Sequence, residues 1–184
     1  GLRGGGLHVV SVTLAGVEVT EITFENNTAL DAIAADGDAG SGDVVILADS
    51  GAVLNIPAAW RYLEQSLINS IEPSSGQKGT LATITGERIY GGGLSVATVT
   101  LAGNLAEILG NTDNSVSVRV MYDSSDGAGD VVTVSNTGAT TTLLGGWTQL
   151  ADAAITVLSP PVGELGTLVT ITGVRMLGGG ESIA

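Results

Sequence analysis

The sequence predicts an all-β chain, a tandem series of small β-sandwiches. Three observations predict it. Val, Ile and Thr alternate with polar residues in short runs bounded by Gly, Pro, Asn and Asp, the pattern of half-buried strands joined by turns. The triplet Gly-Gly-Gly stands at 4–6, 91–93 and 178–180, a step of 87 residues each time. Other marks keep that step: Val-Thr-Leu-Ala-Gly at 12–16 and 99–103, Gly-Asp-Val-Val at 42–45 and 129–132, Trp60 and Trp147, and Pro73–Arg88 against Pro160–Arg175. Between residues 22 and 42 the register slips by one and then recovers. Self-similarity at a fixed period is the mark of an array.

The elements follow in order from the unit that begins near Leu67. Ser70 to Pro73 is a short strand that Pro73 stops, because proline has no N–H for the ladder. Ser74 to Gly79 is a turn cluster. Leu81 to Thr85 alternates, with Ala82 and Ile84 on one face and Thr83 and Thr85 on the other. Gly91 to Gly93 make a turn, and Val96 to Leu101 and Ala106 to Leu109 are the next strands. Ser115 to Met121 points Val116, Val118 and Val120 inward and Ser117 and Arg119 outward. Asp123 to Gly129 is a polar loop. Val131 to Ser135 and Thr140 to Leu144 flank the turn Asn136-Thr137-Gly138 as a hairpin, and Trp147 sits at the last strand. Seven such strands in one 87-residue period fit a small sandwich.

The run Ile71-x-Pro73-x-x-Gly76-x-x-Gly79-Thr80-x-x-Thr83-Ile84-Thr85-Gly86 resembles the opening of an IPT/TIG domain, an immunoglobulin-like module of plexins, some transcription factors and many surface proteins. Leu158, Pro160, Gly163, Gly166, Thr170, Ile171, Thr172 and Gly173 repeat it. The resemblance covers essentially the whole chain. It implies tandem immunoglobulin-like β-sandwiches and a structural or interaction module, since the family has no common catalytic residues. Members that bind DNA carry basic loops that this chain lacks.

Composition narrows the function classes. The 184 residues hold 19 Asp+Glu against 6 Lys+Arg, a net charge of −13, with no Cys and one histidine, His8. A Cys/His zinc site and a catalytic Cys have no residues to use. A Ser-His-Asp triad would have to use His8. A nucleic-acid partner is not expected at this charge. Mean hydropathy is +0.40, yet the longest charge-free stretch, Val131 to Ala151, is rich in Thr, Ser, Asn and Gly. No membrane span is therefore expected in this window. The chain begins without Met or an apolar leader, as a mature product or an excised piece would. With one Lys and few charges, it suits an extracellular or cell-surface location.

The phase of the repeat carries the functional expectation. Residues 1–62 read as an incomplete sandwich lacking its first two strands, 67–149 as a complete one, and 155–184 as the first two strands of a further domain. Ile155, Val157, Leu158, Val169 and Ile171 are the expected assembly face, donated to the incomplete domain of the next subunit by strand addition. The partner is then the chain itself, joined head-to-tail in a contact that does not close and so builds a filament. The alternative is a segment of a large tandem-repeat adhesin or receptor stalk, in which the chain continues.

Candidate chemistry is sparse. His8 lacks a matching acid or nucleophile motif and reads as a strand-rim residue. Trp60 and Trp147 stand at one phase, which favours packing over stacking on glycans, the other partner considered. The glycine triplets lack the Gly-Lys-Ser/Thr ending of a phosphate loop. Two readings are open for the acidic loops Asp36, Asp38, Asp43 and Asp123, Asp126, Asp130: calcium binding by oxygen-rich, Gly-flexed loops, or solvated turns capped by Asp. No other cofactor is expected. Asn26-Asn27-Thr28 is an N-glycosylation sequon, and Thr140 to Thr142 reads as an outward strand row. No enzyme activity is expected.

Overall fold

Every regular element among the described residues, 1–122 and 127–178 of a computed structural model, is a β-strand. The chain divides into two units, Gly1–Gln65 and Ser66–Ala184.

The first unit holds β1 (Val9–Leu14), β2 (Val17–Glu18), β3 (Glu21–Glu25), β4 (Leu30–Ile33), β5 (Gly40–Ala48) and β6 (Val53–Tyr62). One sheet has the order β2-β1-β5-β6, and β3 and β4 form a separate antiparallel pair. Ala15 and Gly16 take positive φ in the β1–β2 turn, and a Cβ on Gly42 would lie 2.5 Å from the Ala15 Cα. That closeness explains why Ala-Gly and Gly-Asp-Val-Val recur together: only glycine lets the two backbones approach. The buried core here is Val9, Val12 and Val19, with Leu14, Ile22, Leu30 and Ile46 only partly covered.

The second unit holds β7 (Leu67–Glu72), β8 (Ser75–Gly76), β9 (Leu81–Glu87), β10 (Val96–Leu101), β11 (Asn104–Thr112), β12 (Ser115–Val120), β13 (Gly127–Ser135) and β14 (Thr140–Gln149), in the order β7-β9-β12-β11-β10-β13-β14-β8. β11 pairs through Asn104 and Leu105 with β10 and through Ala106 to Thr112 with β12, so one strand joins the two sheets of the sandwich. Val116, Val118 and Val120 point inward as their alternation predicts, into a core with Ile68, Ile71, Ala82, Ile84, Val99, Val131 and Trp147. The Trp147 Nε1–H donates to Gln149 Oε1 at 3.0 Å, so the largest buried ring leaves no unpaired donor. β15 (Ala154–Ser159) and β16 (Thr170–Val174) follow as a two-stranded sheet of their own.

The architecture is the all-β, immunoglobulin-like one that the sequence predicts. Two details differ. Trp147 lies on the same strand as Thr140–Leu144, because Gly145 at φ 61° and a register shift at Gly129/Val131 absorb a bulge without ending the strand. The turn cluster after Pro73 contains β8, which pairs in parallel with Thr148 and Gln149.

Candidate functional site: an open sheet and a matching hairpin

The repeat slip has a structural position. Thr13 pairs with Glu18 as Thr100 pairs with Leu105, a step of 87, but Glu21 pairs with Ile33 as Glu107 pairs with Arg119, a step of 86. Val19 and Thr20 thus stand where the second unit has Ala106 alone. The step is 87 again at Gly40, which pairs with Tyr62 as Gly127 pairs with Gln149. Leu30, Ala32 and Ala34 therefore occupy the positions of Val116, Val118 and Val120.

The surroundings of those positions differ sharply. Val116, Val118 and Val120 are buried, and their strand β12 is continued at its edge by β9 and then β7. Ala32 and Ala34 are exposed and Leu30 is half-buried, and no strand pairs with the free edge of β4 among the described residues. An unpaired edge beside an apolar row is a template for another strand.

Residues 1–9 reproduce the contacts that residues 88–96 make in the second unit. Leu2 N donates to Asn27 O at 2.9 Å as Ile89 N donates to Asp113 O at 2.8 Å. Leu7 N donates to Asp49 Oδ1 as Leu94 N donates to Asn136 Oδ1, both at 2.9 Å. Val9 N donates to Glu25 Oε2 as Val96 N donates to Asn111 Oδ1. Arg3 takes the role of Tyr90: its Nη2 reaches Glu25 O at 3.2 Å, where the Tyr90 hydroxyl reaches Asn111 O at 3.0 Å.

The hairpin β15–β16 repeats the pairing of β7 with β9. Its pairs Ile155↔Gly173, Val157↔Thr172, Leu158↔Ile171 and Ser159↔Thr170 reproduce Ile68↔Gly86, Ser70↔Thr85, Ile71↔Ile84 and Glu72↔Thr83, with the same bulge. The connecting turn is also preserved. Glu164 N donates to Thr167 Oγ1 at 2.8 Å and Thr167 N to Glu164 O at 3.0 Å, as Gln77 and Thr80 do. The burial is opposite. Ile84 is 0% exposed and Ile171 50%; Ile68 is 2% exposed and Ile155 69%. Leu158 and Val169 stand at the positions of the buried Ile71 and Ala82, and Val157 at that of Ser70, which faces solvent.

The remaining candidates have local roles. Asp43 Oδ1 accepts from Ala58 N at 2.9 Å and Oδ2 from Asn55 Nδ2 at 3.1 Å; the Ala58 bond and then the Asn55 bond hold its carboxyl below the ordinary 3.8. Asp130 Oδ1 likewise accepts from Gly145 N at 2.8 Å. Both caps stabilise a positive-φ residue, Ala58 or Gly145, in the facing strand. Asp36 accepts from Gln65 Nε2, and Asp38 lines the same surface hollow. Asp123 and Asp126 lie outside the described residues. Among the described residues no group of three or more His, Asp or Glu is placed to hold a metal ion. His8 Nδ1 lies 3.3 Å from Asp49 Oδ2, in the position of the Ser95–Asn136 contact. Asn26 Oδ1 accepts from Thr28 N, Thr28 Oγ1 and Ala29 N, which closes the β3–β4 turn around the sequon. Trp60 is partly exposed, its Nε1 has no acceptor among the described residues, and its ring meets Tyr62 edge-on at 5.6 Å. Burial and then the Asp36 charge raise the Tyr62 phenol above 10.0.

Sequence reading did not find Ala32 as the counterpart of Val118. The one-residue slip hides it, and only the strand pairing relocates it. Nor did it find Leu168 and Ile33, 88% and 49% exposed, which stand where Leu81 and Arg119 pair.

The model of the IPT/TIG domain family matches residues 66–146. No curated protein sequence matches the chain. Solved structures of similar fold include the full extracellular region of plexin A4, at 17% identity over 82% of this chain and 13% of that one, with a TM-score of 0.49. The Bacteroides ovatus protein SGBP-B in complex with a mixed-linkage heptasaccharide is 15% identical over 81% of this chain and 40% of that one, TM-score 0.38. Gamma-CGTase from Alkalophilic bacillus clarkii is 17% identical over 62% and 18%, TM-score 0.42. The chain spans less than half the length of each of these proteins. No helix among the described residues is long and apolar enough to cross a membrane.

Proposed function

We propose, from the IPT/TIG domain that residues 66–146 form, that the chain is a non-catalytic structural module of the cell surface or extracellular space, built to join like modules end to end. The join is made when β15–β16 of one copy pairs with the free edge of β4 in another. One observation carries this reading: the hairpin keeps the internal register of β7–β9, and β4 keeps the register of β12, so each half lacks what the other offers. The expected pairs are Thr172 with Ala29, Ile171 with Leu30, Thr170 with Asp31, Val169 with Ala32 and Leu168 with Ile33, after Thr85–Ser115 through Leu81–Arg119. Burial of the apolar row supplies the drive and the backbone ladder the direction. A head-to-tail contact of this kind propagates into a filament.

The recurring Gly-Gly-Gly triplet at 4–6, 91–93 and 178–180 favours a second form of the same join, made between consecutive repeats of one longer chain as a surface stalk. Light scattering after gel filtration tests the first. The 184-residue chain forms concentration-dependent oligomers in the first, and deletion of 155–184 returns it to a monomer. A wild-type chain that stays monomeric at high concentration removes the filament and leaves the stalk.

A further inference from the structure

The buried pair at the centre of the second unit is inverted across the proposed join. In β9 and β12, Ala82 faces Val118, 3% and 0% exposed. At the matching positions, β16 leads in with Val169 and β4 offers Ala32. Each pair contains one Ala and one Val, so the filled volume is conserved while the large partner changes sides. The neighbouring pairs differ too, Ile84 with Val116 against Ile171 with Leu30, and Leu81 with Arg119 against Leu168 with Ile33. Wrong combinations therefore misfit. The 67–87 hairpin on β4 sets Ala against Ala and leaves a void, and the 154–174 hairpin on β12 sets Val against Val and overfills the core.

We infer that the Val169/Ala32 pair determines specificity: it directs the 154–174 hairpin of a second copy to the first unit and excludes exchange with the 67–87 hairpin of the IPT/TIG domain. This rests on the head-to-tail reading and names the residues that enforce it. Tandem sequences with near-identical strands are prone to swapping, and a mismatched pair is the simplest device against it. Ala32 suits the task because it is exposed in the unjoined chain, so its size is read only on joining.

The test uses the full chain and three variants, with the dissociation constant of the oligomer measured by sedimentation. Ala32→Val sets Val against Val169 and is expected to weaken assembly roughly tenfold or more. Val169→Ala leaves a void and is expected to weaken it by a similar factor. The double variant restores one Ala and one Val in the order of the second unit, and is expected to return to within about threefold of wild type. Both sites are exposed, so circular dichroism should show the variants folded alike. Assembly indifferent to all three variants, or a double variant weaker than either single one, overturns the sorting role and leaves the head-to-tail join standing. A monomeric wild-type chain overturns both.

Discussion

Ile84 and Ile171 occupy the same place in the repeat, yet one is fully buried and the other half exposed. Truncating each to alanine should therefore have unequal consequences. At Ile84 the change opens a cavity among Val116, Val118 and Trp147, a class of substitution that costs about 2–5 kcal/mol. For a domain of this size that lowers Tm by about 10 °C or more, since 1 kcal/mol corresponds to roughly 4–8 °C. At Ile171 there is no closed core to hollow out, and the loss in dilute solution should be about 1 kcal/mol or less. The order reverses for association. Ile171→Ala removes the side chain expected to meet Leu30 and should dissolve oligomers, while Ile84→Ala leaves both halves of the join intact. Scanning calorimetry at low concentration and sedimentation at high concentration read the two effects separately. Equal losses of Tm at low concentration would refute the reasoning, because they would mean that β16 is already packed in the free chain.

Three further outcomes follow from the same contacts. Gln149→Leu leaves the buried Trp147 N–H without an acceptor and should cost about 1–3 kcal/mol in urea unfolding of the second unit. The lowered carboxyl of Asp43 means that its contribution is present above the ordinary value near 3.8 and is lost as pH falls through the lower folded value; Asp43→Ala should remove that acid-dependent part, seen as a flatter stability profile below about pH 4. The charge of −13 makes copies repel, so assembly should strengthen as salt rises from about 10 to 150 mM, and weakening over that range by sedimentation would count against the join.

Much of this was legible in the residues. Val116, Val118 and Val120 declare their face by strict alternation, and Pro73, Gly76, Gly79 and Gly86 mark one turn and its strands well enough to name a family. What stayed hidden was long-range. Asp43 and Asp130 look like ligands because a sequence shows carboxylates in a glycine-rich loop, not the Ala58 and Gly145 amides that reach them from the facing strand. Val157 looks like its apolar neighbours until a bulge between Ile155 and Val157 places it with Ser70 on the outer face. Ala32 is one alanine among several until β3 fixes its register through Ile22.

The two tryptophans also make the molecule its own indicator. Trp147 is sealed and hydrogen-bonded, so its emission should be blue and indifferent to concentration. Trp60 is partly open to water and its indole N–H has no acceptor among the described residues, and the hairpin residues that help close the core around Trp147 have no counterpart among residues 1–65. Its spectrum and its quenching by acrylamide should report whether the first unit is filled. With Trp147→Phe to silence the constant signal, a single optical measurement on unlabelled protein would follow joining in real time.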